Sequence, residues 1–260
     1  MPEAFRKSNW DSSEIKLGID MRRDHKPYSI KKLQGRIESF WVRHFTTPQL
    51  DSLGPHSMIM KPWNLSLYGK KISLGKSVHI ITARDRPVNL TTWNIDDSQG
   101  EILIGDFALI CPGVRIDSAS RVTVGKNCML AAGAYLTDAD WHDIYDRTKT
   151  VGETSPITLE ENVWIGDGAT LCKGVTIGEN SIIGAGSVVT KSIPKNVVAA
   201  GNPATVVKNL DTEKEIVTRQ SLLEDHSELA ERIDALEKWI RADNTLTGWL
   251  RSLFWPNRKD

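Results

Sequence analysis

The sequence predicts an all-β solenoid built from six-residue units, and three observations carry that expectation. From Leu159 the chain reads LEENVW, IGDGAT, LCKGVT, IGENSI, IGAGSV and VTKSIP, with an aliphatic residue opening every unit. The fifth positions, Val163, Ala169, Val175, Ser181, Ser187 and Ile193, are small or aliphatic, and glycine recurs at second or fourth positions. The same register runs earlier as IGDFAL, ICPGVR and IDSASR from Ile104 and as VGKNCM, LAAGAY and LTDADW from Val124, with a fainter LGKSVH at Leu74.

A period of six matches neither a 3.6-residue helix nor a plain alternating strand. It suits a short strand followed by a bend: the first side chain points inward, the small fifth one fills the corner, and glycine or asparagine permits the bend's positive φ. Three such units close a triangular coil of about 18 residues, and stacked coils bury a continuous aliphatic prism. A β-sandwich would instead show turn signals every 8 to 12 residues or so.

The composition sets outer bounds. With 260 residues the chain can bury a large core. Lys plus Arg and Asp plus Glu both total 33, so no overall charge favours nucleic acid. Cys111, Cys128 and Cys172 have no CxxC spacing, which argues against a disulfide framework or a thiolate metal site. No apolar run reaches the roughly 18 residues of a membrane span, and the first residues lack the apolar core of a signal peptide, so a cytoplasmic location is expected.

The rhythm breaks once on a large scale. From Leu136 to Leu159 the step is 23 residues, and the gap holds TDADWHDIYDRTKT. Of the chain's histidines, His25, His44, His56, His79, His142 and His226, only His142 lies in this loop. A loop leaving a rigid scaffold is a natural carrier of catalytic groups, and histidine titrates near neutrality, as a general base requires. A solvated loop histidine is the plainer alternative. Asp138, Asp140 and Asp143 are candidates to orient the imidazole or simply to form turns, and Trp141 and Tyr145 to stack on a sugar or to pack at a subunit interface.

The hexads, together with VWIG, IGAGSVVTK and AGNPA in that order, resemble the hexapeptide-repeat acyltransferases, in the sugar O-acetyltransferase branch of the galactoside, maltose and colanic-acid-type enzymes. The resemblance covers roughly residues 70–210. It implies a left-handed parallel β-helix, a homotrimer, and acetyl-CoA as donor in a cleft between neighbouring coils, with direct acyl transfer and no metal. It implies His142 as general base; among the loop's aspartates, Asp140 is the candidate orienting partner. Trp164 matches the tryptophan beside the pantetheine arm, and Ala185 a backbone contact to it. Thr190 and Lys191 match residues near the phosphates, Pro203 lies in the GNPA loop at the adenine end, and Lys208 matches a basic residue reaching the ribose phosphate. The family's acceptor-contacting asparagine is missing from PGVRIDSAS, and Asp117 is the candidate in its place.

Three regions are therefore expected: a partly helical capping region over 1–69, the β-helix over 70–210 with its loop at 137–156, and an amphipathic helix with an aromatic tail over 211–260. In the first, Leu33, Ile37, Phe40, Trp41 and Phe45 have helical spacing. In the last, Leu222, His226, Leu229, Ile233, Leu236 and Ile240 do, and the helix either packs on the solenoid or forms a trimeric coiled coil. Trp249, Leu250, Leu253, Phe254 and Trp255 beside Arg251, Arg258 and Lys259 have the composition of a membrane-interface segment, or of a buried anchor.

The leading function is O-acetylation of a saccharide in surface-polysaccharide or lipopolysaccharide assembly, at or near the inner face of the membrane. An N-acetyltransferase of amino sugars or xenobiotics, and a non-catalytic scaffold, are the alternatives.

Overall fold

Each hexad folds as one short strand and one corner, and the strands stack into three parallel sheets. The first face holds Ser52–Leu53, Ile72–Leu74, Glu101–Ile104, Arg121–Val124, Ile157–Leu159 and Thr176–Ile177. The second runs from Met58–Met60 through His79–Ile81, Leu109–Ile110, Met129–Leu130, Trp164–Ile165 and Ile182–Ile183 to Val197–Gly201, where Ala204–Asn209 pairs antiparallel. The third holds Leu65–Tyr68, Val88–Thr92, Arg115–Ser118, Tyr135–Thr137, Thr170–Leu171 and Val188–Val189. This computed structural model describes residues 24–95 and 98–257 and divides into two units, residues 40–223 and residues 1–39 with 224–260.

The first position of each hexad is the inward one. Leu74, Ile104, Val124, Leu159 and Ile177 are in register on the first face, and Ile80, Ile110, Leu130, Ile165 and Ile183 on the second. All ten are buried. Each such aliphatic side chain taken out of water contributes about 1.5–3 kcal/mol, which makes the prism self-supporting. The corner between first and second faces is turned by Asn127, Asn162, Asn180 and Asn196, all left-handed, with φ between 58° and 62°. Their side chains link the coils: Asn162 Nδ2 donates to Asn180 Oδ1 and Asn180 Nδ2 to Asn196 Oδ1, both at 2.9 Å. Asparagine pairs with its own kind here while tolerating a backbone conformation costly for most L-residues.

The coils begin earlier than the hexads indicate, at Ser52 rather than Lys70. Leu53, Ile59 and Leu67 occupy the inward register of a first coil, opposite Leu74, Ile80 and Leu90. Prolines and an irregular spacing hide the period there, and pairing to the next coil supplies the order. Val42 and Leu50 pack against the aliphatic core. After the β-helix, Arg219–Leu223 returns to the first corner, where Gln220 N donates to Asn127 Oδ1 at 2.9 Å and Leu223 is buried.

In the other unit, the start of the helix Tyr28–Trp41 joins the helix His226–Ile240, a pairing of the two ends that hydrophobic spacing did not indicate. Tyr28 donates its hydroxyl proton to Asp234, Lys238 lies 5.5 Å from the Tyr28 ring centroid, and Arg241 pairs with Asp24 at 2.9 Å. A last helix, Leu246–Phe254, follows, N-capped by Thr245. Arg258 and Lys259 of the predicted interfacial tail lie outside the described residues.

Candidate active site

The arm that interrupts the repeat leaves after Leu136, the inward residue of the third face, at the corner where the chain would otherwise turn into the first face. A carboxylate cannot occupy a dry corner without donors, and the sequence puts Asp138 there. The preceding coil provides them. Asp138 Oδ1 accepts from Ala119 N at 2.7 Å, and Oδ2 accepts from Ser118 Oγ at 2.7 Å and Ser120 N at 3.0 Å. These three residues lie between Ile116 and Val124, where the step is eight residues instead of six, so this smaller irregularity of the repeat serves the larger one. Burial pushes the Asp138 carboxyl above its ordinary value, against the opposing pull of its donors.

Beyond Asp138 the arm is a narrow hairpin. Asp140 N donates to Glu153 O at 2.9 Å, Gly152 N to Asp140 O at 2.7 Å, and Ser155 N to Asp138 O at 2.9 Å. Lys173, from the next coil, clamps it from below through a 2.7 Å ion pair with Asp140. At the tip, Asp143 Oδ1 accepts from Tyr145 N and Asp146 N, both at 2.8 Å; these bonds hold its carboxyl below the usual range.

His142 stands exposed between clamp and tip, its Nδ1 3.4 Å from the Lys149 carbonyl. A neutral imidazole protonated on Nδ1 donates to that carbonyl and presents the Nε2 lone pair outward, the tautomer that a general base requires. The aspartates serve other partners: Asp138 the corner, Asp140 Lys173, and Asp143 the tip. Asp140, the candidate orienting partner, is thus seen paired with Lys173, and the contact beside the His142 ring is the Lys149 carbonyl, which carries no mark in a sequence.

Gly152 and Lys173 were not singled out from sequence. A Cβ at Gly152 would lie 2.8 Å from the His142 carbonyl oxygen and 3.1 Å from Asp143 Cα, so only glycine lets the returning strand pass behind the histidine. A glycine outside the hexad register, in the segment with the histidine, was the available signal.

Asp117 and Trp141 gather at the base of the arm. Asp117 is buried on the outer side of the third face, paired with Arg115 at 2.6 Å and accepting from Tyr135 Oη at 3.0 Å. Its neighbour in register is Thr137, whose Oγ1 accepts from Trp141 Nε1 at 2.9 Å. Tyr145 lies at the tip and is 96% exposed.

Of the donor-side candidates, Thr190 and Lys191 share the arm's corner two coils along, and the others lie elsewhere on the prism. Trp164, 45% exposed, projects outward from the second face between Met129 and Ile182. Ala185 is exposed at the next corner, beside Gly168 and Gly186, where a Cβ would meet open space. The backbone is open to solvent there. Thr190 and Lys191 are exposed after Val189, and Pro203 and Lys208 are exposed on the closing antiparallel pair. In a three-sided prism the corner that carries the arm lies across from the second face, so a single chain does not bring His142 and Trp164 together.

Among the described residues no cluster of three or more His, Cys, Asp or Glu could hold a metal, and no helix is long and apolar enough to cross a membrane.

Residues 156–191 match the family described as bacterial transferase hexapeptide (six repeats), and residues 122–138 the hexapeptide repeat of succinyl-transferase. WcaF of Escherichia coli K12, assigned to colanic acid biosynthesis as an acetyltransferase, is 33% identical over 144 residues, 55% of this chain and 71% of WcaF. The galactoside O-acetyltransferase of the same organism is 46% identical over 92 residues, 35% of this chain and 45% of the enzyme. A solved structure, the Bacillus cereus N-acyltransferase AntD in complex with dTDP and 3-hydroxybutyryl-CoA, shares the fold with a TM-score of 0.52 at 18% identity, over 74% of this chain and 96% of AntD. Three parallel faces and these repeats define a left-handed parallel β-helix of the transferase type. The chain belongs to the hexapeptide-repeat transferase family, together with WcaF. It spans between 45% and 63% of the length of the first four curated relatives.

Proposed function

We propose that the protein is an acetyltransferase that moves the acetyl group of acetyl-CoA directly to a sugar hydroxyl, in surface-polysaccharide or lipopolysaccharide assembly. The observation that carries this reading is His142 on an anchored arm, with Nδ1 against the Lys149 carbonyl and the ring exposed. Nε2 takes the hydroxyl proton as the sugar oxygen attacks the thioester carbonyl. The carbon–sulfur bond then breaks and the proton passes to the departing sulfur, so the products are a sugar ester and a free thiol. No acyl group resides on the protein.

The open backbone beside Ala185 suits the pantetheine arm, and exposed Lys191 and Lys208 are point cations for the coenzyme's phosphates. Because the arm and Trp164 lie on different sides of one chain, the reading includes a neighbouring copy whose second face meets the arm, as in a homotrimer. The relatives named for galactoside and colanic acid support the sugar class.

The test is thiol release from acetyl-CoA across matched acceptors that offer either a hydroxyl or an amine. Ester formation on a saccharide is the expected result. Release only with amines moves the protein to the N-acetyltransferases, and release with neither removes the catalytic reading.

A further inference from the structure

The outer side of the third face carries a feature that acetyl transfer to a single sugar does not use. Tyr68 ends a strand of the first coil, Trp93 follows the third-face strand of the second, and Trp141 opens the arm. Their rings form a continuous row: Tyr68 and Trp93 have centroids 5.7 Å apart at an interplanar angle of 52°, and Trp93 and Trp141 5.6 Å apart at 56°. Tyr68 is 62% exposed and Trp93 42%. Solvent-facing rings of this size leave apolar area in water without contributing to the core.

The floor beneath the row is polar. Thr91, Asp117 and Thr137 continue the register of Tyr68 over the next three coils, with Asp117 held by Arg115 and Tyr135. Beyond Tyr68 the row opens into a cleft of about 460 Å³ lined by Pro48, Gln49, Asp51, Tyr68 and Lys70. Its other end is Trp141, covalently next to His142.

We propose that this row is an extended acceptor track, and that the acceptor is a glycan chain of several residues rather than a free monosaccharide. The inference rests on the sugar acetyltransferase reading. An aromatic ring offers its flat apolar face to the C–H side of a pyranose, while the ring edges and nearby hydroxyls meet the sugar's hydroxyl groups. Three tilted rings in sequence suit a twisted chain. A floor of hydroxyls and a charged pair suits a hydroxyl-rich ligand better than a dry protein contact, whose core is depleted in charge. Continuity with the arm gives the track its direction: sugar stacked on Trp141 stands beside the base, and the remainder runs over Trp93 and Tyr68 towards the cleft.

The experiment uses the full-length protein, saturating acetyl-CoA, and graded mono- to octasaccharides of neutral and acidic bacterial glycans, with thiol release as the readout. The expected result is a kcat/KM that rises with acceptor length. Trp93→Ala and Tyr68→Ala each lower it by about three- to tenfold for the long acceptors, the size of an aromatic contact, and leave monosaccharides unaffected. Trp93→Tyr, which retains a ring, recovers most of the loss, and unchanged melting temperatures exclude misfolding.

Equal kcat/KM for monosaccharide and octasaccharide overturns the track while leaving the acetyltransferase reading in place. So does a Trp93→Ala protein that changes oligomeric state without any length-dependent loss, because the row is then a subunit contact. Absence of transfer to a glycan of any length defeats both readings together.

Discussion

The carboxylate of Asp138 accepts a 2.7 Å hydrogen bond from the hydroxyl of Ser118, twenty residues earlier in the chain, and this buried contact joins the base of the arm that carries His142 to the preceding coil. Asp138→Ala leaves Ala119 N and Ser120 N without their acceptor, while Ser118 Oγ retains the Glu101 carbonyl at 3.0 Å. The expected cost is about 2–4 kcal/mol, since each orphaned buried donor costs about 1–3 kcal/mol and relaxation recovers part of it. Denaturant unfolding measures it.

The arm's acid response has two opposite parts. Asp138 has its native value raised above 3.8 by burial, so its contribution is present below that value and lost as pH rises through the native one. Asp143 has its native value lowered below 3.8 by the Asp146 and Tyr145 amides, so its contribution is present above 3.8 and lost as pH falls through the native one. Carboxyl-carbon NMR titration should place the two midpoints on opposite sides of 3.8. Midpoints on the same side contradict the assigned environments.

His142→Ala should lower kcat by about 10²- to 10⁴-fold, the usual share of a general base, with acetyl-CoA affinity retained. Trp164→Ala should act on the donor side. Because one chain separates the two residues, mixed oligomers refolded from His142→Ala and Trp164→Ala subunits should regain activity that neither variant has alone. Mixtures no more active than their components would place both residues in one subunit's site.

Gly152→Ala tests the arm's geometry without touching a reacting atom. The new methyl group would meet the His142 carbonyl oxygen at 2.8 Å, so the histidine's backbone must shift. A displacement approaching 1 Å costs up to about 10²-fold, and a tenfold or greater loss of kcat is expected with the melting temperature nearly unchanged. The prism does not depend on this contact.

The helix Leu246–Phe254 exposes Leu246, Leu250, Leu253 and Phe254 along one face, with Trp255 just beyond. Deleting Trp249–Asp260 should abolish co-sedimentation with anionic vesicles and leave acetyl-CoA turnover on soluble acceptors intact. Binding that survives the deletion, or that the intact protein lacks, rules out membrane contact through this segment.

The prism was legible in the sequence because its order is local. Each hexad states its own inward residue, corner residue and bend, and neighbouring hexads repeat the statement, so Ile104, Leu130, Leu159 and Ile183 could be placed inside from spacing alone. The arm was legible as an interruption, and His142 as the histidine within it. The partners of the arm were not, because they lie 19 to 33 residues away and become neighbours only when the coils close: Asp138 with Ala119, and Asp140 with Lys173. The first coil at Ser52 was hidden for the same reason, its strands being ordered by the coil above rather than by a period of their own. Sequence by itself determined the scaffold and where it opens, since periodic burial needs only local chemistry. Tertiary structure alone decided which carboxylate anchors the arm, which carbonyl lies beside the His142 ring, and that Trp164 stands on the face across from the arm's corner, because those relations depend on which coil stacks on which.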